Sequence, residues 1–144
     1  MMFIPKTVFV DTNVLLDYLL KRPGEEPAGR LLSLGRERLL RICISSLSVA
    51  NVAYIMRKEM SKDRLISIFK DWLNDFVIQD LGDVDVLHAT KSDCPDFEDA
   101  LQISCAQTPS CIAIVTNNKK HFEPYTDMPV LTPDELLDKL TRKS

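Results

Sequence analysis

The sequence contains few cysteine, glycine and aromatic residues. Its 144 residues include 4 Cys, 4 Gly and 8 Pro, and aromatic residues make up 7%. With 45% hydrophobic and 27% charged residues, the chain is neither collagen-like, low in complexity nor intrinsically disordered. A length of 144 residues is typical of one domain, so we expect a single globular domain over residues 1–144.

The sequence also lacks a long apolar segment. No segment approaches the roughly 18–20 residues that a membrane-spanning helix requires, because Asp11 and Asp17 interrupt the most apolar stretch. The first residues, MMFIPK, lack the basic and then apolar composition of a signal peptide. We therefore expect a cytoplasmic protein that has no membrane partner.

The few cysteines are spaced too widely for a paired zinc site, and they are Cys43, Cys94, Cys105 and Cys111. Only His88 and His121 would supplement them as ligands. Cys43 and Cys111 lie in or beside apolar segments, which favours reduced, mostly buried thiols that act as small hydrophobic residues. We predict no zinc site and no cysteine chemistry.

The net charge of −3 is unevenly distributed along the chain. Residues 1–72 carry 12 Lys and Arg against 8 Asp and Glu, a balance of +4, whereas residues 73–144 carry 6 against 13, a balance of −7. Ordinary solvated helix faces account for this division. A basic flank beside an acidic patch would also suit a polyanion that is guided toward a cation site.

Short β-branched segments alternate with longer segments of helical periodicity, which is typical of the α/β class. The predicted strands are 7–10, 41–45, 76–81, 111–115 and 130–131. The predicted helices are 14–20, one from 25 or 27 to about 39, 47–59, one beginning at 61 or 62, 84–91, 97–106 and one beginning at 133. Strands that are apolar at every position predict a parallel sheet covered by helices on both faces.

Polar residues follow three of the predicted strands. They are Asp11, then Ser45 and Ser46, then Thr116, Asn117 and Asn118. Ligands of parallel sheets bind beyond the carboxyl ends of the strands. Because three strands end in short polar side chains, the sequence predicts a functional site at this edge.

Two acidic residues are the main candidates for this site. Asp11 directly follows a strand and precedes Thr12 and Asn13, so helix capping and a functional role are both open to it. In the segment DFEDALQ, Asp96 is a natural N-cap, and capping also explains Glu98. Asp99 lies about 60° around the helix from Asp96, so it can face inward over the end of the sheet.

The order of motifs resembles the PIN domain family, in particular its small VapC-type toxin ribonucleases. The first strand and acidic residue of that family are similar to VFVDTNVLLDYLL, and its second strand and following helix to ISSLSVANVAYIMRK. The acidic helix of that family resembles the segment DFEDALQISCA. Its late strand resembles IVTNNKKHF, and its closing strand and helix resemble MPVLTPDELL. The resemblance covers nearly the whole chain and implies a PIN-like domain whose parallel sheet has about four or five strands.

The resemblance also implies roles for particular residues. Asp11 and Asp99 correspond to the first and third metal-binding carboxylates and are the expected catalytic residues. The supporting polar residues are Asn13, Ser45, Asn51, Thr116 and Asn118. Asn51 stands where the family usually has Glu, and Asn118 where it often has Asp. An Asn offers a neutral oxygen to a hard cation but cannot act as a base, so metal affinity should fall.

The expected cofactor is Mg²⁺ or Mn²⁺. Mg²⁺ usually takes only one or two carboxylates, and phosphate oxygens complete its shell, so Asp11 and Asp99 would be enough. The bound metal would orient a water for attack on a phosphodiester and neutralise charge at phosphorus. Asp96 and Glu98 are possible extra acids.

We therefore predict a metal-dependent PIN-type ribonuclease, the toxin of a toxin–antitoxin pair. A PIN-like binding or scaffold domain that does not cleave is the alternative, because of Asn51 and Asn118. A phosphatase is a distant third interpretation. VFVDTNVL also resembles the haloacid dehalogenase superfamily, but Asn13 replaces that superfamily's second Asp.

The expected partners are RNA, a small antitoxin protein and a second copy of the chain. The second copy is expected because one helix region carries more apolar residues than one face needs, namely Leu31, Leu32, Leu34, Leu39 and Leu40. Aromatic residues lie mostly in apolar helix patterns, so the sequence predicts no aromatic platform on which RNA bases would stack.

Overall fold

Five short parallel strands form one sheet in the described part of the computed structural model, residues 5–107 and 110–142. The strands are β1 (Thr7–Val10), β2 (Arg41–Ser45), β3 (Val77–Gln79), β4 (Ile114–Val115) and β5 (Val130–Leu131). The helices are α1 (Thr12–Leu19), α2 (Glu25–Arg36), α3 (Ser46–Met56), α4 (Lys62–Asp75), α5 (Asp83–Thr90), α6 (Phe97–Gln107), α7 (Lys119–Phe122) and α8 (Pro133–Arg142). The predicted α/β class and parallel sheet are confirmed.

The strand order across the sheet is β3-β2-β1-β4-β5, and every neighbouring pair is parallel. Along the chain, β2 and β3 are added on one side of β1, and β4 and β5 are then added on its other side. The gap between β1 and β4 is therefore the topological switch point, beside which open parallel sheets bind ligands. Asp11 follows β1 and Thr116 follows β4, so both residues lie at this point.

Alternate strand residues pack into cores on the two faces of the sheet. On one face, Val10 and Ile44 pack with residues of α1, α2, α3, α4 and α8. On the other face, Phe9, Cys43 and Ile114 pack with residues of α6 and α7. Successive side chains of a strand point to opposite faces, so a strand covered on both faces needs apolar residues at every position. This explains the uninterrupted apolar sequences of β1 and β2.

Two late segments differ from the sequence prediction. β4 spans Ile114–Val115 rather than 111–115, although the preceding residues still pair with β1: the Ile112 N–H donates to the Thr7 carbonyl at 2.9 Å. After β4, the short helix α7 and the 3-10 turn Glu123–Tyr125 were not predicted. Elements of three or four residues carry too few positions to show a helical period.

The predicted surplus of apolar surface along α2 is wrong. Leu31, Leu32 and Leu40 are buried, and Leu34 packs against the same core. Only Leu39 of the five leucines is largely exposed, at 54%. The reason is that α2 lies against α1, α8 and β2, so more than one side of this helix is covered.

Among residues 5–107 and 110–142, no helix is long and apolar enough to cross a membrane. Residues 1–4 of the segment MMFIPK lie outside the described residues.

The end of α2 is fixed by a left-handed residue that is not glycine. Arg38 has φ 64°, the Leu39 N–H donates to the Leu34 carbonyl at 3.0 Å, and the Arg38 N–H donates to the Gly35 carbonyl at 3.1 Å. These two bonds form a Schellman motif, in which glycine is the usual left-handed residue. The Arg38 side chain donates to the Asn74 carbonyl at 2.9 Å, which ties this turn to the end of α4. At this turn Arg38 therefore combines a strained backbone conformation with a side-chain hydrogen bond that glycine could not make.

We predict that Arg38→Gly is more stable than Arg38→Ala by about 1 kcal/mol. Both variants lose the bond to Asn74, but only glycine adopts this φ without a clash at Cβ. Urea unfolding of the two variants, followed by circular dichroism, measures the difference. Equal midpoints would show that the turn is unstrained.

Candidate active site

Asp11 places a buried carboxylate at the switch point of the sheet. The residue is 4% exposed, and its side chain makes no hydrogen bond that caps α1. The Thr116 hydroxyl donates to Asp11 Oδ2 at 2.9 Å. Asp11 therefore occupies the N-cap position of α1 while its carboxylate is bound by Thr116, which is compatible with the functional role left open by the sequence.

The electrostatic surroundings of Asp11 oppose its ionisation. Burial raises the pKa of Asp11, the nearby Asp99 carboxylate adds to this effect, and the Thr116 hydrogen bond opposes both. The net result is a pKa of about 6 instead of 3.8. An ionised Asp11 in this fold is therefore a carboxylate with too few favourable partners. A cation beside it would supply the missing one.

Asp99 is the second carboxylate of the site. Its side chain is 21% exposed, and its Oδ2 lies 3.4 Å from Nδ1 of His121. Burial, followed by the negative charge of Asp96, raises the pKa of Asp99, whereas His121 lowers it. Asp96 itself caps α6, because its Oδ1 accepts the Asp99 N–H at 3.0 Å. Of these two neighbours on α6, only Asp99 reaches the cavity beside Asp11.

Asp11 and Asp99 line one cavity of about 320 Å³ between α1, α3 and α6. The other predicted site residues that line it are Asn13, Asn51 and Glu98. The apolar part of the lining is formed by Leu16, Tyr54 and Ile55. In the described part of the chain, no Lys, Arg or His side chain lines this cavity. The cavity therefore offers a cation several oxygen atoms, and the basic group nearest to its carboxylates, His121, contacts Asp99 from outside the lining.

Four predicted residues do not line the cavity. The Thr116 hydroxyl donates to the Asp11 carboxylate, and the oxygen of this hydroxyl accepts the Asn118 N–H at 3.0 Å. Ser45 belongs to a buried polar network, and Asp96 acts as a helix cap. Asn117, at the same strand end, donates to Asp17 at 2.7 Å. The predicted cluster at the carboxyl edge therefore divides into residues that face the cavity and residues that position them.

A buried polar network that reaches the cavity lining at Thr12 and Gln102 was missed by sequence reasoning. The Gln102 amide nitrogen donates to the hydroxyl oxygens of Thr12 and Ser48, each at 2.9 Å, and its carbonyl oxygen accepts from Ser45 at 2.5 Å. Thr12 adjoins Asp11, and Gln102 lies one turn along α6 from Asp99. The network therefore fixes α1 and α6 relative to each other, and with them the two carboxylates. A Gln between Leu101 and Ile103 in a buried helix was the available signal.

The polar side chains of this region are fully paired. Among the described residues, no buried side-chain nitrogen or oxygen lacks a hydrogen-bond partner. An unpaired buried donor or acceptor costs about 1–3 kcal/mol, so a complete network of this kind favours one arrangement of α1, α3 and α6. The geometry of the cavity is therefore set before any ligand binds.

A parallel sheet with a carboxylate-lined cavity at its switch point defines an α/β protein with an acidic ligand site. The chain matches the family model described as PIN domain over residues 7–120, a range that contains Asp11, Asp99 and Thr116. It is 30% identical to ribonuclease VapC1 of Aquifex aeolicus in an alignment of 141 positions that covers 92% of this chain and 94% of that protein. The chain belongs to the PIN domain family.

Solved structures of similar fold come from toxin–antitoxin complexes. The structure of VapBC2 from Rickettsia felis, bound to a DNA fragment from its promoter, superposes with a TM-score of 0.66 at 21% identity. The superposition covers 86% of this chain and 96% of that chain. DNA-bound VapBC from Salmonella typhimurium gives a TM-score of 0.64 at 17% identity, covering 90% and 99%. At these identities the comparison shows the fold, and the predicted PIN-like architecture is confirmed.

We predict that Asp11→Asn stabilises the metal-free protein at neutral pH. Because the pKa of Asp11 is raised from 3.8 to about 6, the folded state keeps a proton that the unfolded chain has released between these values. The free energy of unfolding of the parent therefore falls as pH rises from about 4 to about 6, by up to about 3 kcal/mol. Asn does not titrate, so the side chain at this position does not lower the free energy of unfolding of the variant as pH rises.

Urea unfolding of both proteins in chelator, between pH 4 and pH 7.5, measures the effect. The variant should be more stable than the parent at pH 7.5, and the difference should shrink toward zero near pH 4. A difference that does not change with pH would mean that Asp11 ionises as freely as in the unfolded chain.

Proposed function

We propose that this protein is a metal-dependent endoribonuclease of the VapC type that hydrolyses RNA phosphodiesters and acts as the toxin of a toxin–antitoxin pair. The relative named ribonuclease VapC1 supports the activity. The observation that carries the proposal is the convergence of Asp11 and Asp99 in one cavity that has no basic side chain. Asp11 and Asp99 are the proposed catalytic residues and metal ligands.

The donor set of the cavity fits a hard divalent cation such as Mg²⁺ or Mn²⁺. Its donors are carboxylate and amide oxygens, which these ions prefer. Among the described residues, no group of three or more His, Cys, Asp or Glu side chains is placed to hold a metal. Two carboxylates suit Mg²⁺, which retains waters and accepts phosphate oxygens from its substrate, better than they suit zinc.

The chain's own residues have separate tasks in this proposal. Asp11 and Asp99 hold the cation, Thr116 orients Asp11, and the amides of Asn13 and Asn51 bind the water or ribose groups at the cavity wall. Glu98 is exposed at the rim and supplies a third negative charge. When bound, the metal activates water and neutralises the charge that develops on the phosphate.

We predict that the purified protein cleaves single-stranded or structured RNA in the presence of Mg²⁺ or Mn²⁺ but not in chelator. Removing residues that merely support metal ligands costs about 10–100-fold, so Asp11→Asn or Asp99→Asn should reduce the cleavage rate by about 100-fold or more. Asp71→Asn, on the exposed side of α4, is the matched control and should cleave as the parent does.

Gel analysis of labelled RNA measures the cleavage rates of the parent and the three variants. Cleavage by Asp11→Asn at the parent rate would place the activity elsewhere or in a contaminant. No cleavage by the parent, together with no manganese binding at millimolar concentration by calorimetry, would favour the alternative, a PIN-like binding or scaffold domain.

The two positions at which Asn replaces an acidic residue are not equivalent. Asn51 lines the cavity, whereas Asn118 precedes α7 and binds Thr116 through its backbone. We therefore propose that Asn51 is the position that limits metal affinity. A carboxylate there would add like charge beside Asp11 and Asp99, which a cation would relieve.

We predict that Asn51→Glu lowers the melting temperature in chelator and increases the upward shift on adding manganese. The first effect comes from carboxylate repulsion and the second from tighter binding to the folded state. Asn118→Asp should leave the manganese shift close to that of the parent. Differential scanning fluorimetry of the three proteins, with and without metal, measures these shifts. Equal shifts in all three would place Asn51 outside the metal's reach.

The proposed protein partners are a small antitoxin and a second copy of the chain. The similar structures from Rickettsia felis and Salmonella typhimurium are VapBC complexes, which supports an antitoxin partner. The homodimer no longer draws support from α2, whose leucines are mostly buried. Light scattering at tens of micromolar tests it, and a monomeric mass there would refute a standard-sized interface.

A further inference from the structure

The rim of the acidic cavity carries an exposed aromatic ring. Tyr54 lines the cavity but is 66% exposed. Asn51, Tyr54 and Ile55 are spaced three and four residues apart on α3, so they share the helix face that borders the cavity. An aromatic side chain that remains this exposed beside a binding site has most of its surface available to a ligand.

A cation holds this ring in place. The Arg57 guanidinium carbon lies 3.8 Å from the centroid of the Tyr54 ring, and Arg57 Nη1 donates to the Tyr54 backbone carbonyl. The hydrogen bond fixes the guanidinium relative to the helix, and the cation–π contact fixes the ring relative to the guanidinium. Tyr54 is therefore ordered without being buried, which lowers the entropy that a ligand must remove on binding.

The charges on either side of the cavity differ. Asp96, Glu98 and Asp99 lie at the start of α6, whereas Arg57 and Lys58 follow the end of α3. A nucleotide in an RNA strand has the matching chemistry, since its phosphate binds a cation or Arg and its base offers a flat π-face. A scissile phosphate at the carboxylates would leave the neighbouring base on the side of Tyr54, because Tyr54 lines the same cavity as Asp11 and Asp99.

We propose that Tyr54 is a substrate-positioning residue on which the base next to the scissile phosphate stacks. This proposal rests on the ribonuclease function proposed above. Its substrate class is RNA in which that base is unpaired, because stacking on a side chain requires the base to leave its own helix. Stacking on Tyr54 tolerates any base, so it selects for single-stranded character and not for sequence.

The test compares the parent with Tyr54→Ala, Tyr54→Phe and Leu73→Ala on a short single-stranded RNA with Mn²⁺. Tyr54→Ala should raise KM about 5- to 150-fold with a smaller change in kcat, because one stacking contact is lost. Tyr54→Phe keeps the ring and should stay close to the parent. Leu73, 69% exposed on α4, is the control for removing an exposed apolar side chain.

A second substrate identifies the contact. On an RNA that has an abasic ribose beside the cleavage position, the KM of the parent should rise by the same factor as it does for Tyr54→Ala on normal RNA. The KM of Tyr54→Ala should be the same on the normal and the abasic RNA. An unchanged KM in Tyr54→Ala, including the case in which this variant weakens only antitoxin binding, would overturn the proposal. An increase in KM from the parent to Tyr54→Ala that is equally large on normal and abasic RNA would also overturn it.

RNA affinity measured by fluorescence anisotropy separates this proposal from the ribonuclease function. A parent that binds the RNA but never cleaves it would refute the function, while a weaker affinity of Tyr54→Ala than of Tyr54→Phe would still support stacking. Equal affinities would refute the stacking contact alone. The melting temperature of Tyr54→Ala should match that of the parent, since the ring is exposed.

Discussion

A carboxylate held out of water at the end of the central strand constrains the rest of this protein. Asp11 is almost fully buried, beside a second carboxylate, and its raised pKa records the cost of keeping a negative charge there. Thr116 offsets part of that cost with one hydrogen bond. The Gln102 network fixes the helices that carry both acids. Strong positioning is needed because two like charges would otherwise move apart.

The neutral amides of Asn13 and Asn51 are consistent with the same constraint. Each further carboxylate in the cavity would raise the free energy of the metal-free fold, because like charges in a partly buried site repel one another. An amide offers an oxygen to a ligand without adding to that repulsion. In the proposed metal-dependent nuclease, these amides would lower metal affinity and increase the stability of the metal-free protein. Glu98 adds its charge at the exposed rim, where water screens it.

The positions of Asp11 and Asp99 followed from the sequence because each depends on a local rule. Asp11 directly follows an apolar strand, and Asp99 lies a fixed angle from a helix cap. The Gln102 network could not be predicted, since its members are brought together by the packing of three elements. The burial of α2 depends likewise on its neighbours. The position of Tyr54 at the cavity could not be predicted from its place in an apolar helix segment, because it depends on how α3 packs beside α1 and α6.

The sheet order also governs when the site comes into existence during synthesis. β1, β2 and β3 leave the ribosome first, but Asp99 and Thr116 belong to segments made much later. Until β4 pairs with β1, the central strand has a free edge and Asp11 lacks its hydroxyl donor, Thr116. For the proposed ribonuclease, this order of assembly means that the complete site forms only after most of the chain has been made.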